Sequence, residues 1–180
     1  MIDKGGFNLE QAIEAFWQSS VAFYSLPEVS EYLLNLQDTQ DKNVNELLFA
    51  LWVTHRFGIE LSANIVEAAQ SRTRRTKKWV DNIRNTRFEL EAQWDKPYPE
   101  KIHSTREALK ETELKIEKLH QQKLAEEVLT HAEFSLLNTS SLSPEKLFLS
   151  NLVQLCGAPQ SDSDYLQLVM LWVSASGDTA

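Results

Sequence analysis

Apolar positions in the first third of the chain recur every three to four residues, the period of helices that bury one face. Leu9, Ala12, Ile13, Phe16, Trp17, Phe23 and Tyr24 form one such stripe, and Val29, Tyr32, Leu33 and Leu36 a second. From Val44 to Val53 the stripe widens until apolar residues occupy every side of a helical wheel, which predicts a helix covered by protein all round. Asn8 with Gln11 and Ser25 with Glu28 have the spacing of capping boxes, and Pro27 suits a first helical turn. Gly58 is placed to end the central helix, and Ser62 to cap a fourth whose stripe is Ile65, Ala69 and Thr73. A polar run, Ser71 to Thr76, then interrupts the pattern before Trp79, Val80, Ile83, Arg87 and Leu90 resume it, which predicts either a kink or two helices.

Trp94-Asp95-Lys96-Pro97-Tyr98-Pro99 reads as a loop, because its two prolines break helix on both sides. A long charged helix is expected from about 100 to 130, with a thin stripe of Ile102, Leu109, Ile116, Leu119 and Leu124. Lys123 falls where a sustained heptad would need an apolar residue, so the segment predicts an arm packed on one side. Asn138 to Ser143 is a polar linker. Ser143-Pro144-Glu145 opens a short helix ending at Gly157, and Asp162 or Ser163 caps a last one carrying Tyr165, Leu168, Val169 and Trp172.

No alternating pattern argues for a strand. The expected fold is therefore all-α: an irregular bundle of about six to eight helices, with a central buried helix over about 43–57 and a long charged one over about 100–130. Five glycines and five prolines in 180 residues agree with long helices. The length suits one domain spanning 1–180, organised as a helical core (10–94), a charged arm (100–137) and C-terminal helices (143–176).

Charge changes the picture. The net charge of −8 argues against general affinity for nucleic acid or anionic membrane. Yet Arg72, Arg74, Arg75, Lys77, Lys78, Arg84 and Arg87 stand against a single acid, Asp81, a local balance of +6, so the remaining chain carries −14. On a helix Arg74, Lys77, Lys78, Asp81 and Arg84 share one side, with Trp79, Val80 and Ile83 nearer the other. Such a basic face fits another protein, self-association, or RNA. The plainer alternative is a solvated face or internal pairing with the acidic arm, and Arg84 and Arg87 suit pairing with glutamates.

Candidate chemistry is sparse. Asp38, Asp41, Asn43 and Asn45 gather in a polar knot before the central helix, but a calcium loop of the EF-hand type needs glycine at its sixth position. Counted from Asp41 that position is Glu46, and counted from Asp38 it is Asn43, so no metal is expected. Asp41 or Asn43 is expected to cap the central helix, with Gln37 and Asp38 closing the helix before it. Asn45, inside the apolar helix, is read as a buried structural tie. His55, His103, His120 and His131 show no paired spacing, and no phosphate-binding, dinucleotide-binding or nucleophile motif occurs, so neither a cofactor nor an enzyme is supported. The lone Cys156 excludes an intramolecular disulfide and reads as a buried thiol. No stretch approaches the roughly 18 apolar residues of a membrane span, and the expected compartment is the cytoplasm.

Phe16-Trp17, Tyr24, Pro27-x-Val29, Leu36-Gln37-Asp38 and Asn43-Val44-Asn45-x-Leu47-Leu48-Phe49-x-Leu51-Trp52 resemble a small, mainly gammaproteobacterial family of uncharacterised conserved proteins. The resemblance continues through Trp79-x3-Ile83-Arg84-x2-Arg87 and Leu109-Lys110-x2-Glu113-Leu114-x2-Glu117. It implies an all-helical cytoplasmic protein and carries no activity. The chain departs from the family's pattern in the knot, where a glycine near Asp41 and an Asp-Val-Asn triplet would be expected. Residues and resemblance together point to a non-enzymatic interaction protein acting through 72–87, the arm, or both. An RNA- or ribosome-associated protein comes second, and an enzyme on a small anionic substrate third.

Overall fold

A computed structural model describes residues 8–92, 99–137 and 139–177. Among them are seven α-helices: α1 (Leu9–Tyr24), α2 (Pro27–Gln40), α3 (Val44–Phe57), α4 (Ala63–Glu91), α5 (Pro99–Thr130), α6 (Pro144–Cys156) and α7 (Asp162–Gly177). The predicted loop at 94–99 lies outside the described residues apart from Pro99, which begins α5. No strand forms among the described residues; a single bridge joins Ile59 to Thr139.

The helix ends follow the capping chemistry with two corrections. Asn8, Asn43 and Ser62 accept hydrogen bonds from the backbone N–H of Gln11, Glu46 and Ile65 at 3.2, 3.1 and 3.4 Å. Gly58 ends α3 with a φ of 62°. Ser25 does not cap α2: its hydroxyl turns back to donate to the Ala22 carbonyl of α1, and Leu26 precedes Pro27 without a side-chain cap. Proline at the first position has a fixed φ already suited to the helix, and it starts α2 without a side-chain cap. Neither Asp162 nor Ser163 caps α7. Ser161 does, one residue earlier, taking the N–H of Ser163 on its hydroxyl while Asp164 reaches back to the Ser161 N–H at 3.2 Å.

α3 is the buried centre. Its residues from Asn45 to Thr54 are all buried, and α1, α2, α5 and α6 pack around it. Phe16, Phe49 and Trp52 meet ring to ring within one cluster that also takes in Leu33, Leu36, Leu124, Val128, Leu152, Leu155, Tyr165, Leu168 and Trp172. Asn151 of α6 fixes the turn after α3. It donates to the Thr54 hydroxyl and the Ile59 carbonyl, both at 2.8 Å, and accepts the Leu61 N–H at 2.9 Å.

α4 runs unbroken through the polar stretch 71–76. Thr73 and Thr76 lie buried there and hydrogen-bond the carbonyls of Ala69 and Thr73, which removes the cost of hiding their hydroxyls. α4 and α5 form an antiparallel hairpin, in which Arg72 meets Glu126, Thr76 meets His120, Arg84 meets Glu113, and Glu91 meets Arg106. The expected α5 stripe is only partly the buried one. Leu124 is buried, but Leu119 is 36% exposed and Ile102, Leu109 and Ile116 are half-buried, while Glu113, His120 and Gln121 are buried. The stripe is thin because polar residues with partners on neighbouring helices complete the packed face.

Candidate functional site

The α4–α5 hairpin sorts the basic segment into three groups. Arg84 and Arg87 are drawn inward. Arg84 donates to Glu113 and Glu117 at 2.9 Å each and to the Gln37 side-chain oxygen at 2.8 Å, and Arg87 donates to the other Glu113 oxygen at 2.9 Å. One buried carboxylate thus bridges two guanidiniums, a charge-assisted arrangement that stitches α4, α5 and α2 together. Arg72 makes only loose contacts with Glu126 and Glu127, at 3.9 and 4.0 Å. Arg74, Arg75 and Lys78 point outward and are exposed, and among the described residues no ion pair engages them. Trp79 stands beside them 42% exposed, away from its neighbour Val80, which is buried at 5%. The expected grouping of Trp79 with Val80 fails because adjacent helical residues diverge by about 100°.

Lys77 belongs to none of these groups. It is half-buried and lines a cleft of about 370 Å³ between the polar knot and the hairpin. Asp38, Asp41, Asn43 and Asn45 line the same cleft, with Asp81, Arg84, Glu117 and His120. The knot and the basic segment therefore meet in space. His55 does not join them; it is exposed beside Trp172.

Each knot residue has a local task. Asn43 caps α3. Asp41 closes α2 with a left-handed φ of 52°. Asn45 is buried and receives a hydrogen bond from the Gln121 amide at 2.8 Å, so its structural tie runs to α5. Lys42, which sequence reasoning passed over, extends its ammonium to the carbonyls of Cys156, Gly157 and Ala158 at 3.1, 3.4 and 2.6 Å. A cation there neutralises the negative end of α6. Cys156 packs against the core, and burial pushes its thiol well above the ordinary range.

His120 is the least accommodated polar group in the cleft. It has no exposed surface, its Nδ1 lies 3.1 Å from the Thr76 hydroxyl, and its Nε2 has no partner among the described residues. Burial, reinforced by Lys77 and Lys123, lowers its pKa to about 4, so the imidazole is neutral at pH 7. The carboxyl of Glu46, buried at the start of α3, is raised by desolvation and partly relieved by Lys77. Among the described residues no group of three or more His, Cys, Asp or Glu side chains is arranged to hold a metal ion.

Residues 15–124 match the model of a family described as a protein of unknown function, DUF2390. The chain belongs to that family. No curated protein and no solved structure matches it. The DUF2390 segment spans more than half of the 180 residues and contains every residue that carried the resemblance, from Phe16 to Glu117. It includes the knot, the hairpin network and His120, whereas α6 and α7 lie beyond it. No helix among the described residues is long and apolar enough to cross a membrane.

Proposed function

We propose that this DUF2390 protein is a non-enzymatic interaction module of the cytoplasm that docks an acidic surface of another protein on the outward face of α4. The observation that carries this reading is the set of exposed cations Arg74, Arg75 and Lys78, which have no ion pair among the described residues, beside the half-exposed Trp79. The chain spends Arg84 and Arg87 on its own carboxylates and leaves these three unspent, although acids outnumber bases by 26 to 18. A partner held this way would meet a flat aromatic anchor ringed by cations, and affinity would fall with salt. RNA is the second reading, because Trp79 could also serve as a stacking surface among cations.

Fluorescence anisotropy with a labelled peptide rich in Glu, Asp and aromatic residues, beside a single-stranded RNA of equal charge, tests this. The peptide is expected to bind more weakly as salt rises. Reversing Arg74, Arg75 and Lys78 to Glu is expected to weaken it about tenfold or more, with the helical circular dichroism unchanged. Tighter binding of the RNA would transfer the face to the second reading. Loss of helicity in the reversed variant would show that the three cations serve the fold, and would end the proposal.

A further inference from the structure

α6 and α7 depart from the rest of the chain in what they show to solvent. From Leu147 to Gly177 the only charged residues are Asp162 and Asp164, in a chain whose charged share is 24%. α7 carries no charge from Tyr165 onward. Tyr165, Leu168, Val169 and Trp172 bury one side of it in the core, while Leu166, Met170 and Val173 follow at i, i+4 and i+7 along another. Met170 is 69% exposed and Val173 54%, with Leu166 half-buried. A helix apolar on its solvent side as well as its core side is one that a further surface covers. Leu166 also lines an open groove of about 380 Å³ with Leu149, Val153 and Pro159, so the apolar surface continues from α7 onto α6. None of Arg74, Arg75, Lys78 and Trp79 borders that groove, which makes this a different surface from the docking face of α4.

The charge pattern bears on the occupant. An acidic or basic partner finds nothing to pair with along the stripe. Glu145, Asp162 and Asp164 at its edge repel an anionic lipid surface, and no Lys or Arg between 147 and 177 attracts one. A second copy of the chain meets a different condition. In a two-fold contact each residue near the axis faces its own counterpart, so a charged face opposes like charges, and two chains of −8 repel wherever charge is dense. On the uncharged α6–α7 face that penalty is absent. Residues one turn apart on α7 also offer ridges and grooves that a copy of the same helix fits. An antiparallel crossing sets the acidic first turns of the two copies, each with Asp162 and Asp164, at opposite ends of the contact.

We propose that the exposed α6–α7 face is the interface of a homodimer. α7 of one copy crosses α7 of a second copy antiparallel, about a two-fold axis near Met170, with Leu166 and Val173 to either side and Leu149 and Val153 on the flank.

Sedimentation equilibrium of the full chain over a concentration series tests it. The mass is expected to rise from 20.7 kDa toward twice that value. Added salt is expected to preserve or strengthen association, because it screens the repulsion between copies and leaves apolar contacts intact, the reverse of its effect on the α4 face. Met170→Glu and Met170→Lys, each at an exposed position, are expected to weaken association about tenfold or more with unchanged helical circular dichroism, and Val173→Glu should act alike. Mixing the two Met170 variants is expected to recover association, since opposite charges then meet near the axis. The charge-reversed Arg74, Arg75, Lys78 variant should associate as the wild type does. A wild-type chain that stays monomeric up to about 1 mM would overturn the proposal. Its flotation with phosphatidylglycerol vesicles, lost in Met170→Glu, would then give the face to a membrane. Association that salt dissolves, a dimer indifferent to both Met170 variants, or a mixture no more associated than either variant alone would also overturn it.

Discussion

Asp41 closes α2 in the left-handed region at a φ of 52°, the only non-glycine residue described there. The family resemblance leads one to expect glycine near this position, and the geometry explains why: the turn needs a conformation that glycine adopts freely and aspartate tolerates. Asp41→Gly is expected to raise stability by about 0.5–1 kcal/mol, read as a higher urea midpoint; a lower midpoint would show that the carboxylate contributes more than the turn. His120 makes a prediction with a definite sign. Its pKa is about 4 in the folded chain against 6.5 for a free histidine, so between those values the unfolded chain binds more protons. Stability should therefore fall as pH drops from 6.5 to 4, by about 3 kcal/mol from this residue alone. Burial raises the carboxyls of Glu46 and Glu117, which act in the opposite sense. Comparing the pH dependence of wild type and His120→Gln isolates the histidine, and parallel curves would refute the assignment. Asn151 is satisfied on both sides of its amide with no exposed surface. Asn151→Leu strands the Leu61 N–H and the Ile59 carbonyl, at a cost of about 3 kcal/mol in chemical denaturation.

Helices that bury hydrocarbon could be read directly from spacing, and α1, α2 and α3 fall where the apolar period puts them, with Asn8 at the start of α1, Asn43 and Gly58 at the ends of α3 and Ser62 at the start of α4. The hairpin was harder to read for a physical reason. The buried faces of α4 and α5 include Thr73, Thr76, Glu113, His120 and Gln121, and a periodicity of hydrophobicity cannot register a face whose members are polar but paired. The run Ser71–Thr76 consequently resembles a break, although the helix passes through it. The spacing that did carry information was Arg84-x2-Arg87 against Glu113-x3-Glu117, one helical turn on each strand of the hairpin, with pairing that only the antiparallel fold reveals. The cleft could not be read at all, because it brings 38–45 beside 77–88 and His120 across four helices. Two ion pairs in this hairpin should differ in weight. Glu113 is 8% exposed in its side chain and holds two guanidiniums, so Glu113→Ala leaves both without their shared partner and should cost about 3 kcal/mol. Arg72 and Glu126 are about half exposed at 3.9 Å, and Arg72→Ala should cost less than about 0.5 kcal/mol. Equal losses in urea melts would mean that the hairpin is held by its apolar contacts and not by the network.

At the scale of the whole molecule, the segment shared with the DUF2390 family and the unit that buries the core differ in extent. The family match stops at Leu124, yet Leu152, Leu155, Tyr165, Leu168 and Trp172 sit in the same cluster as Phe16, Leu33 and Phe49. Trp172 packs edge to face on Phe23 of α1 at 4.8 Å, and Asn151 holds the exit of α3. Each of those five side chains contributes about 1.5–3 kcal/mol by leaving water, which together reaches the 5–15 kcal/mol typical of a domain's entire stability. Removal of α6 would also free the Lys42 ammonium from the carbonyls of Cys156, Gly157 and Ala158. A chain ending after Leu137 should therefore keep much of its helical signal while losing a cooperative thermal transition and fixed near-ultraviolet dichroism from its tryptophans. Hydrogen exchange should report the loss most strongly across Asn45–Thr54, whose amides are protected only while helices cover every side of α3. A truncated chain that melts cooperatively would assign the core to the family segment alone and reduce α6 and α7 to a cover, and the basic face and the cleft could then be studied without them.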